Sequence, residues 1–395
     1  MKMNGENRMR SDRKTALRLT TIYSLHLTAF CVFYNFFSMY LLDLGYTAAQ
    51  AGMVLSLCSF VSMLAQPVWG GLADRQGTQK KLITAMYMLG GIAVFLMQFF
   101  SESYPVLLAL GLFFAATELS TPPLLNAMTL QAAEGTRVSY GTVRGVSSFV
   151  YSCFALICGN LAARLGYTAT FSVHTACMIL LALLIAKLYV PAAQPAERER
   201  ASAKNHWGML LKNTDFMLLM AAAFFIFAGY CVSMDLLSVI LVSRGGAVSS
   251  LGTALFLCGS LEALFTLLSR RLTEWFPIRR VLAVSMAFFA VKMTALLLSM
   301  NVWGAMAALL LQGACLGVYY PVAVRYIDRI VAPECRNLAQ GLHAAITYGA
   351  SSMAGNFIGG RIATACGVNA MIAFGVAMCA VGALIFAFPA ALRRR

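Results

Sequence analysis

The sequence predicts an all-α integral membrane protein with twelve transmembrane helices in two six-helix bundles. Three observations carry that prediction: the apolar composition, the asymmetric placement of the basic residues, and a repeat at a constant offset. Apolar residues make up 60% of the 395 positions, charged residues 11%, and the mean hydropathy is +0.75. A soluble domain carries about 25% charged residues. The chain divides into apolar stretches at 17–42, 47–72, 81–100, 104–130, 138–163, 168–190, 216–243, 248–269, 281–300, 302–324, 338–363 and 368–390. Each has about the 20 residues that a helix needs to cross ~30 Å of hydrocarbon.

The net charge of +15 marks orientation and not a nucleic-acid partner. With the N-terminus cytoplasmic, the loops on that side carry 25 Lys and Arg, and the opposite loops carry only Arg164, Arg244 and Arg361. Arg144 and Lys292 lie inside apolar stretches and complete the 30. The asymmetry predicts both termini in the cytoplasm and a multi-pass protein of the plasma membrane, the inner membrane of a bacterium. No small-residue cleavage site follows the first apolar run, so the first span is expected to be retained. Eleven Cys are scattered singly in apolar stretches and four His lie far apart, which predicts buried packing and no metal centre. No prosthetic cofactor is implied. A nucleophile with a partner base and a phosphate loop are both lacking, so no enzymatic activity is expected.

Residues 191–214 form the one long polar break, with Pro191, Pro195, a Glu197-Arg198-Glu199-Arg200 run and an amphipathic piece at Trp207–Leu211. It is read as a cytoplasmic linker between an N-terminal bundle, 1–190, and a C-terminal bundle, 215–395. These match at an offset of 200: Gly45 with Gly245, Gly52 with Gly252, Leu57-Cys58 with Leu257-Cys258, Gly141 with Gly341, and Gly159 with Gly359. Internal repeats of this kind build transporters around a site near the bilayer midplane.

Five charges fall inside apolar stretches: Glu118, Arg144, Asp235, Glu262 and Lys292. Unpaired at the bilayer centre, at ~2.5–3.5 kcal/mol each, they would cost about 12–17 kcal/mol, as much as the ~5–15 kcal/mol stability of a typical fold. They are expected to pair or to face water. Arg144, Ser147 or Ser148, and Tyr151 recur at i, i+3/i+4 and i+7, on one face of the fifth span. A guanidinium fork, a hydroxyl and a ring on one face suit a polar or ring-shaped solute. Glu118 precedes Thr121-Pro122-Pro123, and Pro321 follows Tyr319-Tyr320 at nearly the same offset in the tenth span. The prolines free backbone carbonyls, which is tolerated where a helix lines a cavity.

The loop Gly71-Leu72-Ala73-Asp74-Arg75-Gln76-Gly77-Thr78-Gln79-Lys80-Lys81 joins the second and third spans, and Arg271–Arg280 holds a decayed copy with Glu274 in the place of Asp74. This loop resembles the signature of the major facilitator superfamily of secondary transporters. Gly71, Asp74, Arg75, Gly77 and Lys80 are its conformational-switch residues by that resemblance. Tyr140-Gly141-x-x-Arg144 with Gly159, Arg325-Tyr326-Ile327 and Gln340-Gly341 resemble the branch containing the lactose permease, nucleoside–proton symporters and phenylpropionate permease-like proteins.

The resemblance implies that Arg144 binds solute, that Tyr151 stacks on it, and that Glu262 takes part in binding and coupling. It also implies a base at Lys292, where the permease has arginine. Asn126 stands where the permease has a carboxylate, and Gln312–Tyr319 lacks its His and Glu, so galactoside specificity does not carry over. The expected binding set is therefore Arg144, Tyr151, Glu118, Asn126 and Glu262, and the expected proton-coupling set is Glu262, Lys292 and Asp235.

The expected function is a monomeric, proton-coupled symporter that imports a sugar, nucleoside or aromatic acid by alternating access, with protons, the solute and the bilayer as partners. Antiport of amphipathic compounds is the alternative, and a transporter-like receptor the remote one.

Overall fold

The computed structural model describes residues 5–76, 79–133, 136, 138, 140–188 and 203–392. Among them there is no strand. The first span is α1, Gly5–Asp43, and the second is α2, Ala48–Gln76. Next come α3, Gln79–Met97, and α4, Tyr104–Phe114, which runs into a π-turn at Ala115–Leu119 and then α5, Pro122–Ala133. The first half closes with α6, Tyr140–Leu165, and α7, Tyr167–Ala186. A short helix α8, Ala203–Lys212, contains the amphipathic piece expected at the end of the linker; Leu210 is buried while Trp207, Met209 and Leu211 are exposed. Residues 191–202 of that linker lie outside the described residues.

The second half repeats the plan with α9, Thr214–Met234, and α10, Leu237–Ser243, then α11, Val248–Trp275, and α12, Ile278–Leu298. After these come α13, Val302–Leu309, a π-turn at Gly313–Gly317, and α14, Val318–Ile330. A helical run from Arg336 to Cys366 comprises α15, Arg336–Ala344, a π-turn at Ala345–Ala350 and α16, Ser351–Cys366; α17, Val368–Leu392, ends the chain.

Eleven of these helical stretches are long and apolar enough to cross a bilayer. The expected span at 338–363 falls outside that set because it is the most polar. His343, Thr347, Ser351, Ser352 and Asn356 all lie on it, and all five are buried. Its polar groups face protein, so composition alone understates it.

The repeat is visible in the backbone. Gly45 and Gly245 both take the left-handed conformation, φ 85° and 77°, at the turns after α1 and α10; Gly166 and Gly367 do so at the next matching pair of turns, φ 77° and 87°. Glycine reaches that region at no steric cost. The π-turns at 115–119 and 313–317 fall at nearly the same offset in the fourth and tenth spans.

The chain forms two compact units, Met1–Phe37 with Val61–Pro195, and Ser38–Phe60 with Ala196–Arg395. The first lacks the segment 38–60 of the expected bundle 1–190 and runs on to Pro195. Small residues explain the difference. A Cβ on Gly52 would lie 2.4 Å from the Asn356 carbonyl oxygen and 3.1 Å from Gly360 Cα. The start of α2 therefore seats directly on α16. Ser59 Oγ bonds Ser352 Oγ at 2.9 Å, Ser56 donates to the Met353 carbonyl at 2.9 Å, and the Ala49 amide donates to Thr364 Oγ1 at 2.9 Å.

Within the first unit, α3 packs on α7 and α4 around a core of Tyr23, Ile83, Met86, Tyr87, Leu125 and Met178. Within the second, α17 lies along α9 and α12. Gly229 and Gly382 let α9 and α17 approach so closely that a Cβ on either would strike backbone oxygen at 2.6–2.7 Å. Small residues at such seams provide the contact that lipid gives no hydrophobic reason to form.

Candidate functional site

The first unit gathers three of the expected residues onto α1. Tyr23 is 1% exposed and lies in the middle of α1. Its hydroxyl donates to Asn126 Oδ1 on α5 and accepts from Arg144 Nη1 on α6 at 3.0 Å. The guanidinium carbon sits 5.5 Å from the Tyr23 ring centroid. Arg144 itself is exposed. A buried phenol, aligned by an amide, thus holds an accessible cation in place, and the ring face adds a cation–π contact to the hydrogen bond.

One turn along, Ser147 is buried against α1, bonding Ser24 Oγ at 3.1 Å and donating to the Thr20 carbonyl at 3.3 Å. Two turns along, the Tyr151 hydroxyl accepts from Asn35 Nδ2 at 2.7 Å. The face read at i, i+3 and i+7 is therefore one face, and α1 is what it meets. Tyr23 was not legible as part of the site, because a tyrosine in an apolar helix looks like packing.

Glu118 takes a different place from the one expected. It is 2% exposed, on the π-turn, and its Oε2 lies 3.1 Å from Nε2 of a fully buried His174 on α7. The carboxylate does not line the Arg144 cluster. Of the carbonyls that Pro122 and Pro123 free, that of Glu118 accepts from the Thr121 amide at 3.0 Å. Hydroxyls of Thr117, Ser120 and Thr121 bond the carbonyls of Phe113, Ala116 and Thr117 at 2.7–2.9 Å, and the Trp69 indole also donates to Ala116.

In the second unit Lys292 on α12 is fully buried. Its Nζ donates to Ser233 Oγ and to Gln312 Oε1, both at 2.9 Å, and lies 4.9 Å from the Tyr230 ring centroid. Gln312 also approaches the Tyr230 hydroxyl at 3.4 Å. These contacts of Nζ with a hydroxyl, an amide oxygen and a ring face are ones that sequence reasoning missed. Glu262, half-buried on α11, has its backbone against the π-turn: a Cβ on Gly317 would meet the Glu262 carbonyl at 2.7 Å.

Asp235 sits at the break between α9 and α10. Its Oδ2 accepts from Ser352 Oγ at 2.9 Å and from Asn356 Nδ2 at 2.7 Å. Tyr319 is fully buried with its hydroxyl 2.8 Å from His343 Nε2. Tyr320 stacks on an exposed Tyr348 with centroids 5.5 Å apart and planes 16° apart. Tyr319 is thus packing, whereas Tyr320 backs an open aromatic face.

Of the loop residues, Gly71 is exposed on α2, with nothing within 4 Å of where a Cβ would be. Asp74 and Arg75 belong to the last turn of α2, their side chains outside the described residues, as is Gly77. Lys80 Nζ donates to the Leu188 carbonyl at 2.9 Å, tying the start of α3 to the end of α7. Beside the decayed copy, Arg325 on α14 donates to Thr273 Oγ1 and to Ser269 Oγ at 2.9 Å each, and Arg270 bonds Glu274 at 3.2 Å. No cluster of His, Cys, Asp or Glu able to hold a metal occurs among the described residues.

A helical membrane fold of two similar halves, with polar groups deep in its spans, is the architecture of a solute transporter. The chain belongs to the MFS_1 like family, which matches residues 16–376. It is 24% identical over 375 residues to the maltose permease of Geobacillus stearothermophilus, covering 94% of this chain and 93% of that one. It is 32% identical over 173 residues to the multidrug resistance protein MdtG of Serratia proteamaculans, covering 41% and 40%. A mutant form of the nucleoside transporter NupG shares the fold with a TM-score of 0.84 at 14% identity, covering 94% of this chain and 98% of that one. The protein is a multi-pass membrane transporter of the major facilitator type that carries a small molecule and is not an enzyme.

Proposed function

We propose that the protein imports a saccharide together with protons by alternating access, as a monomer with both termini in the cytoplasm. The observation that carries the reading is Arg144: an exposed guanidinium inside a membrane span, held by a buried Tyr23 that Asn126 orients. A charge in that position is costly unless it meets water or a polar solute, and an intramembrane ionisable group is by default a transport-pathway residue. Arg144 and Asn126 supply hydrogen bonds, and Tyr151 supplies a ring. Stacked Tyr320 and Tyr348 give the second unit an aromatic face of the kind that packs on the C–H surface of a sugar ring.

Full-length similarity to a maltose permease supports a sugar over a nucleoside or an aromatic acid. Glu262, Lys292 and Asp235 are assigned to coupling, since each is an ionisable group within a span of the second unit. Solute and proton then stabilise a common occluded state, so a downhill proton carries the solute inward.

The test is solute-induced proton movement in reconstituted vesicles, followed with a pH-sensitive dye. Sugars, nucleosides and aromatic acids are screened on wild type and Glu262→Gln. Proton uptake with a saccharide, lost in the variant, is expected. The partial similarity to MdtG favours a second reading, antiport of amphipathic compounds. Silence across the panel, with proton release on adding hydrophobic cations to preloaded vesicles, would establish that one instead.

A further inference from the structure

We infer that Glu118 and His174 form a proton-binding site in the first unit, additional to the coupling groups of the second and resting on the symport reading above. The argument is one of donors and acceptors. His174 Nδ1 lies 2.9 Å from the Ala29 carbonyl oxygen, and a carbonyl only accepts, so Nδ1 carries a hydrogen. Nε2 faces Glu118 Oε2 at 3.1 Å. Two lone pairs cannot face each other there, so one proton lies between ring and carboxyl, whichever of the two formally holds it. Both side chains are buried, 0% and 3% exposed, with the rings of Phe33, Phe114 and Phe171 packed around this centre.

The site is thus locked in this conformation. Losing the proton would leave an uncompensated carboxylate in an apolar interior, and gaining a second would set an imidazolium beside a neutral acid. Either change requires the contact to open.

The backbone supplies a means of opening. Glu118 stands on the π-turn 115–119, an extra residue in the helical register followed by the Ser120–Thr121 break before Pro122. Such turns mark functional sites, and their return to α-register rotates the side chains they carry. Gly90 permits the present position: a Cβ there would lie 2.6 Å from Glu118 Cβ and 2.9 Å from Oε2.

The surrounding titratable groups connect the pair to the Arg144 cluster. Tyr87 lies one turn before Gly90 on α3, and its hydroxyl lies 3.1 Å from His26 Nδ1. His26 in turn meets the Tyr23 ring edge-on with centroids 6.2 Å apart, and the Tyr23 hydroxyl holds Arg144. Packed side chains thus run from Arg144 through Tyr23, His26 and Tyr87 to the face of α3 against which Glu118 rests. Opening toward one aqueous side lets a second proton enter, and opening toward the other side in the opposite conformation lets it leave.

The experiment measures protons moved per saccharide in vesicles for wild type and Glu118→Gln. Glutamine keeps a hydrogen bond to a neutral His174 and removes the acid. The expected result is a lower proton-to-solute ratio, with accumulation falling by about tenfold per unit of imposed pH difference for each proton lost. An unchanged ratio overturns the site and leaves symport standing. Wild type that moves no proton with any solute removes both.

Where Glu118→Gln yields no folded protein, the wild type decides. Infrared difference spectra with and without solute are expected to show a changed carboxylic-acid band together with changed histidine bands. Bands that stay fixed on solute addition overturn the proposal without any variant.

Discussion

Arg144→Lys is expected to lower solute uptake by about a hundredfold while leaving the amount of protein in the membrane unchanged. Lysine keeps the charge but not the fork. In the native arrangement one nitrogen of the guanidinium bonds the Tyr23 hydroxyl and its central carbon lies 5.5 Å from the ring centroid, which fixes how the fork is presented. A lysine ammonium that bonds Tyr23 has no second planar edge to offer, and one that reaches for solute abandons Tyr23. Losing hydrogen bonds of a charged group at about 1.5–3 kcal/mol each gives ~3 kcal/mol, or roughly a hundredfold. Protein stability is little affected, because Tyr23 retains Asn126 and the exposed guanidinium buries little. The measurement is initial-rate uptake in vesicles, normalised to protein reconstituted. Wild-type rates in Arg144→Lys would show that only the charge matters, and would remove the fork from the mechanism.

The spans and the repeat were legible because each rests on a local property. An apolar run of sufficient length has one stable home, and Gly45 and Gly245 declare the same turn wherever the rest of the chain goes. The breaks inside spans were not legible. The fourth span read as one helix at 104–130, yet it contains a π-turn and a break at Ser120–Thr121, and the seventh is interrupted at Asp235–Leu236. Proline at 122 and 123 pointed to the first of these, but nothing local marks the second. It coincides with Asp235 reaching Ser352 and Asn356, side chains more than a hundred residues away.

The site divides in the same way. Arg144, Ser147 and Tyr151 share a face by periodicity alone, and the structure shows what that face meets. Tyr23, Asn35, Ser233 and Gln312 were invisible as partners because each is an unremarkable polar or aromatic residue until a distant helix is laid against it. Intramembrane charge marks polar positions within the spans but does not name their partners. Lys292 meets a hydroxyl, an amide oxygen and a ring that no local pattern announces. His174 was passed over as one of four scattered histidines, and it is the partner of Glu118.

Gly355→Ala and Gly341→Ala, the same substitution in one helical run, are expected to have opposite effects. At Gly355 a Cβ would lie 2.3 Å from the Ala228 carbonyl oxygen, 3.1 Å from its carbonyl carbon and 3.2 Å from its Cα. All three are backbone atoms of α9, so no side chain can swing away and α16 must lift as a body. Overpacking of this kind costs up to about 3 kcal/mol or more, a large part of a typical ~5–15 kcal/mol stability. Ser352 and Asn356, which hold Asp235, flank the site on the same helix, so lifting α16 breaks that network as well. At Gly341 nothing lies within 4 Å of the added carbon, and alanine in an exposed helical position gains about 0.5–1 kcal/mol over glycine. Thermal unfolding of the purified proteins compares the two directly. Gly355→Ala should unfold well below the wild type or fail to accumulate, and Gly341→Ala should unfold at or slightly above it. A Gly355→Ala protein as stable as wild type would mean that α16 does not rest on α9 at the distance the backbone shows, and with it the placement of Asp235 would fall.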